Sequence, residues 1–149
     1  RPQLLDRFGL SVEVRTPGDI DTRVEIMRRC ARQEADPDGF AGEWSDEEDK
    51  VLRRVDRGRK RLAKVDVPDA MLTKAAELCM AVGADGLRGE LTVMRAAKAL
   101  AALEGAKALA EKHLIAVAPS ALRHRLRRDV LDETGSTARI ERAIAEVFG

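Results

Sequence analysis

The sequence predicts a mainly α protein: a helical bundle preceded by a short helix and one strand. Apolar residues recur at spacings of three and four through most of the chain, as they do on the buried face of a helix. Strand formers are scarce, with three Phe, one Trp and no Tyr among 149 residues. Glycines and capping residues stand at the boundaries of the periodic segments. A chain of this length can bury one helical core and leaves room for a small extra lobe.

The elements follow in order. Arg1 to Phe8 reads as a short helix stopped by Gly9. Leu10-Ser11-Val12-Glu13-Val14-Arg15 alternates apolar and polar residues, the period of a half-buried strand, and ends at Thr16-Pro17-Gly18. No partner strand is visible, so its sheet is expected to lie in residues outside this sequence. Asp19 or Asp21 caps a helix through Val24, Ile26, Met27, Cys30 and Ala31, which Asp36-Pro37-Asp38-Gly39 ends. Ser45-Asp46-Glu47-Glu48 has the capping-box form and opens a helix with Val51, Leu52, Val55 and Leu62 on one face. Asp66 precedes Val67-Pro68 and starts a helix that carries Met71, Leu72, Ala75, Cys79 and Val82 to Gly83. An Ala- and Leu-rich central helix runs from Leu87 to Leu103, and Gly105 ends it. Another covers about Glu111 to Arg127 with a kink at Pro119, and a last amphipathic helix after Gly135-Ser136 carries Ile140, Ile144 and Val147.

Charge excludes several function classes. Twenty-seven basic and 26 acidic side chains leave a formal charge of +1, which supplies no global field for nucleic acid or an anionic membrane. No apolar run reaches the roughly 18 residues of a membrane span, and no basic-then-apolar leader opens the chain, so a soluble intracellular protein is expected. Cys30 and Cys79 lack CxxC spacing and are read as buried, reduced thiols. His113 and His124 have no carboxylate or Cys partners at ligand spacing, so no metal site is expected. The acidic run Asp46 to Asp49 is read as helix-start chemistry, and the basic run Arg123, His124, Arg125, Arg127 and Arg128 as a solvated helix end.

Three stretches carry a family resemblance: Arg1-Pro2-Gln3-Leu4-Leu5-Asp6-Arg7-Phe8-Gly9, Asp85-Gly86-Leu87-Arg88-Gly89-Glu90-Leu91, and Leu122-Arg123-His124-Arg125-Leu126-Arg127-Arg128-Asp129. With Glu13-Val14-Arg15 and the run from Arg95 to Gly105, in this order and spacing, the chain resembles the ATPase (I) subunits of magnesium chelatase, motors of the AAA+ class, from first residue to last. The resemblance implies that residues 1–16 end an AAA+ core, 17–66 form connecting helices and 67–149 a helical lid. It implies that Arg7 is an arginine finger acting on a neighbouring subunit's nucleotide, with Asp6 at the subunit contact, and that Arg88 is the sensor-2 arginine reading the γ-phosphate. Without it, Arg7 would be read as a helix-end ion pair worth under about 1 kcal/mol. Arg88 would be an arginine at a helix start, where the dipole disfavours it. Gly86 and Gly89 on either side of Arg88 are read as letting the backbone approach a ligand.

The phosphate-binding pattern G-x-x-x-x-G-K-[ST] does not occur in these residues. The chain alone is therefore expected to bind no cofactor and to hydrolyse no ATP, and its start at Arg1 suggests a fragment. The resemblance further implies ATP with Mg²⁺ in the intact subunit, a hexameric ring, D and H partner subunits and Mg²⁺ insertion into protoporphyrin IX. The compartment would be a bacterial cytoplasm or plastid stroma. Two other readings stay open: the ATPase-like region of the D subunit, and a non-enzymatic helical module docking on an ATPase ring.

Overall fold

The computed structural model describes residues 7–84, 86–126 and 136–149. Among them are six α-helices: α1 (Ile20–Ala35), α2 (Pro37–Leu62), α3 (Asp69–Val82), α4 (Arg88–Glu104), α5 (Glu111–Leu122) and α6 (Ser136–Phe148), with a 3-10 turn over Arg123–Arg125 between the last two. The chain forms two compact units, one of Glu13–Asp56 and one of Arg1–Val12 with Arg57–Gly149.

In the first unit Asp19 caps α1, its carboxylate accepting the Thr22 N–H at 2.7 Å. That bond holds the Asp19 carboxyl below its usual range. Asp36 closes α1 and starts α2: its N–H bonds to the Arg32 carbonyl, and its carboxylate accepts the Gly39 N–H at 2.9 Å. Pro37 follows as the first helical residue, where its missing N–H costs nothing. This start precedes the capping box expected at Ser45, which lies inside α2 with its hydroxyl donating to the Gly42 carbonyl. The acidic run is thus a mid-helix surface, paired along the helix as Glu47–Lys50 and Asp49–Arg53. The unit is joined by Arg32–Glu43, by Arg29 over the Trp44 ring at 5.0 Å and by Arg32 over Phe40 at 5.7 Å. α1 buries no residue, and Cys30, expected buried, is exposed. Its helix has no apolar layer within this unit to cover it.

The second unit holds the core. α4 packs most extensively on α5, and α3 on α6. Val93, Ala97 and Ala101 make a stripe of small buried residues along α4, which lets α5 approach closely through Leu114, Ala118 and Ala121. Leu78, Leu114, Leu122 and Ile140 are fully buried, each contributing about 1.5–3 kcal/mol of transfer free energy. Gly83 and Gly105 end α3 and α4 in the left-handed conformation, as the sequence predicts.

Two boundaries differ from expectation. α3 begins after Pro68, because a residue before proline favours extended backbone. Asp66 instead lies alongside Ala108, donating its N–H to the Lys107 carbonyl and accepting from the Leu109 N–H, both at 2.9 Å. α5 stops at Leu122, short of Arg127, and tightens into the 3-10 turn after Pro119, whose missing N–H weakens the ladder. Its start is fixed by His113, which is buried and accepts the Ala110 N–H on Nδ1 at 3.0 Å. That leaves the proton on Nε2, 3.3 Å from the Glu104 carboxylate.

Of the expected amino-terminal helix, Arg1 to Asp6 lie outside the described residues, and Arg7 to Gly9 form no helix. Leu10 to Arg15 pairs with no strand among the described residues; the Ser11 N–H bonds the Ser120 carbonyl at 2.8 Å.

Two tests follow from this packing. A Cβ on Gly58 would stand 2.8 Å from Leu103 Cδ2 and 3.4 Å from its Cα, so Gly58→Val should cost about 1–3 kcal/mol by overpacking, read as a lowered denaturant midpoint. An unchanged or raised midpoint would show that α2 does not approach α4 there. Burial, with help from the Glu90 charge, pushes the Cys79 thiol up to about 12, so it stays protonated through the neutral range. A thiol reagent at pH 8 should therefore titrate Cys30 alone in the native state and both cysteines only after unfolding.

Candidate functional site

The carboxy-terminal end of α5 organises the site. Leu114, Ala118, Ala121 and Leu122 form its buried face, and the next position on that face is Arg125, only 8% exposed. A buried guanidinium requires hydrogen-bond acceptors. Arg125 Nε donates to the Ala121 carbonyl at 3.0 Å, and Nη2 donates to the Phe8 carbonyl at 2.7 Å and to the Thr92 hydroxyl at 3.3 Å. His124 adds a second donor to the Phe8 carbonyl, Nε2 at 2.9 Å; since a carbonyl only accepts, Nε2 carries the proton.

Thr92 completes the line. Its hydroxyl accepts from Arg125 and donates to the Arg88 carbonyl at 2.7 Å, one turn back along α4. Three hydrogen bonds thus run from the residue after Arg7 to the backbone of Arg88: Phe8 carbonyl, Arg125, Thr92, Arg88 carbonyl. The expected solvated reading of the basic run fails at Arg125, because that side chain continues the apolar face of α5 rather than its outer face. Arg127 and Arg128 lie outside the described residues.

Arg7 sits in a turn and is exposed, and Arg88 is exposed as the first residue of α4. Two surface guanidiniums of this kind suit phosphate oxygens. Asp6, the third expected site residue, lies outside the described residues. Of the two flanking glycines, Gly86 stands at φ +74°, open to one side, where glycine is the natural occupant. Gly89 is buried instead, its Cβ position 3.5–3.7 Å from Ala84, Leu122 and Cys79, so it packs inward and does not admit a ligand. Behind it, Glu90 raises the Cys79 thiol and Arg125 opposes it, which brings both charges close to the same buried sulfur. Among the described residues no three His, Cys, Asp or Glu side chains stand together as a metal site, and no helix is long and apolar enough to cross a membrane.

Sequence reasoning missed Arg125 and Thr92. A signal was present for Arg125, whose spacing from Leu114, Ala118 and Ala121 keeps it on the apolar stripe. Nothing in the sequence distinguishes Thr92 from other threonines on a helix.

The AAA lid domain family matches residues 72–144. The magnesium-chelatase 38 kDa subunit of Rhodobacter capsulatus is 56% identical over 148 residues, covering 99% of this chain and 42% of that protein. The corresponding subunit of Chlorobaculum tepidum is 42% identical over all of this chain and 38% of its own length. The chloroplastic magnesium-chelatase subunit ChlI-1 of Arabidopsis thaliana is 38% identical over 99% of this chain and 35% of that protein. Among solved structures, a protein from Cytophaga hutchinsonii assigned as an ATPase has the same fold with a TM-score of 0.70 at 18% identity, covering 97% of this chain and 47% of that one. The chain spans less than half the length of these relatives. With the lid match over its carboxy-terminal half and this identity along its whole length, the chain corresponds to a part of the magnesium-chelatase 38 kDa (ChlI) subunits.

Proposed function

We propose that these residues are the carboxy-terminal part of the ATPase motor subunit of magnesium chelatase. The observation that carries this is 56% identity to a magnesium-chelatase 38 kDa subunit over 99% of the chain. In this reading residues 1–16 end the AAA+ core, 17–66 connect, and 67–149 are the lid. The intact subunit forms a hexameric ring on ATP with Mg²⁺. Hydrolysis drives the D and H subunits to insert Mg²⁺ into protoporphyrin IX, toward chlorophyll or bacteriochlorophyll. The setting is bacterial cytoplasm or plastid stroma, in keeping with bacterial and chloroplastic relatives.

Each residue then has a chemical task. Phosphoryl transfer leaves little covalent work to the protein and demands positioning and charge neutralisation. Arg7, exposed in its turn, reaches across a subunit contact to the neighbour's γ-phosphate, and Asp6 supports that contact. Arg88 reads the phosphates of its own subunit from the first turn of α4, where the helix amino terminus also favours an anion. The phosphate cradle and its lysine belong to residues outside this sequence, so the 149-residue chain alone turns over no ATP.

The test is ATP turnover by the full-length subunit. Arg7→Ala should lower kcat about a thousandfold or more, the usual scale for an arginine finger. In rings mixed with wild-type subunits the loss should fall on the neighbour's site. Arg88→Ala should also reduce turnover strongly, but within its own subunit's site. Unchanged turnover in both variants would exclude the motor assignment of these residues and favour a helical module that docks on a ring.

A further inference from the structure

We propose that Arg125, assisted by His124 and Thr92, is a positioning residue that ties the finger segment to the lid, so that phosphate state read at Arg88 sets the placement of Arg7 in the neighbouring site. The inference rests on the reading of Arg7 and Arg88 given above and adds the link between them. Its basis is the hydrogen-bond line already described: the Phe8 carbonyl receives Arg125 Nη2 and His124 Nε2, and Arg125 passes through the Thr92 hydroxyl to the Arg88 carbonyl. The Ser11 N–H on the Ser120 carbonyl fastens the same segment to α5 a few residues on.

Geometry makes this link stiff. Arg125 is buried at the end of α5 and anchored by its own Nε to the Ala121 carbonyl, so the guanidinium plane cannot swing without breaking that bond. The carbonyl it holds is that of Phe8, the residue directly after Arg7. A lid shift that displaces α4 and α5 therefore carries the backbone of Arg7 with it, or must break hydrogen bonds to a charged donor, which are among the stronger ones. An arginine finger acts through close placement, and a misplacement of about 1 Å can cost a hundredfold in rate. A clamp on the adjoining peptide is thus a route by which one subunit's lid controls its neighbour's turnover.

The prediction is a kinetic split with a trans signature. In the full-length subunit, Arg125→Met should lower kcat for ATP roughly tenfold to a hundredfold while KM changes less than about twofold, since nucleotide binding in the same subunit is untouched. His124→Ala removes one donor to the same carbonyl and leaves the buried arginine in place. It should lower kcat about three- to tenfold, and it carries the test should Arg125→Met not fold. When subunits carrying either variant are mixed with Arg7→Ala subunits, both defects lie in the finger offered to the neighbour, so no interface regains both parts and activity should not rise above the more active parent. Recovery well above both parents, toward roughly a quarter of wild type, would place the defect in the variant's own site and overturn the proposal. Wild-type kcat in a folded Arg125→Met or in His124→Ala, with Arg7→Ala inactive, would also overturn it while sparing the finger reading. An active Arg7→Ala would instead overturn the finger reading itself.

Discussion

A guanidinium taken out of water has to find acceptors, and the second unit is arranged around how Arg125 does so. Leaving such a charge without partners would cost several kcal/mol, enough to undo the burial of two core leucines. Among the described residues, acceptors come from the last turn of α5, the hydroxyl of Thr92 on α4 and the backbone beside Arg7. Removing any one leaves a buried donor to be satisfied elsewhere. The demand of one side chain thereby draws together α5, α4 and the segment around Phe8.

This fold could be read from sequence wherever local rules and packing agree. Gly83 and Gly105 end helices because the left-handed backbone there excludes other residues at little cost to glycine, and both ends were legible. The capping box at Ser45 misled because the motif is short and a stronger start, Asp36 with Pro37, stands before it. Asp66 is similar: an aspartate two residues before Pro68 looks like a cap, yet Pro68 keeps Val67 extended, and Asp66 pairs along Lys107 to Leu109 instead. Cys30 was judged by its residue type, which favours burial, whereas exposure is set by which faces find partners, a tertiary fact.

The site shows the same division. Arg7 and Arg88 are singled out by family motifs alone, since an exposed arginine in a turn and one at a helix start carry no local mark of function. Arg125 could have been found by physics: continuing the α5 stripe beyond Leu122 lands on it, and a charge on an apolar stripe calls for a partner. Four neighbouring basic residues instead suggest a solvated charge run. Composition averaged over a run concealed the one position whose periodicity was different.

The described hydrogen-bond line between the Arg7 and Arg88 segments ends on main-chain groups. At one end it takes the Phe8 carbonyl and at the other the Arg88 carbonyl, and main-chain groups are supplied whatever the side chain. Substitutions at Arg7 or Arg88 therefore leave these main-chain acceptors in place. The mutable part of the link is the lid's contribution, Arg125, His124 and Thr92. Lysine could replace the charge of Arg125 but not its fork, which meets the Ala121 carbonyl through Nε while Nη2 reaches Phe8 and Thr92. The planar geometry, more than the positive charge, is what joins α5, α4 and the Arg7 segment at one point.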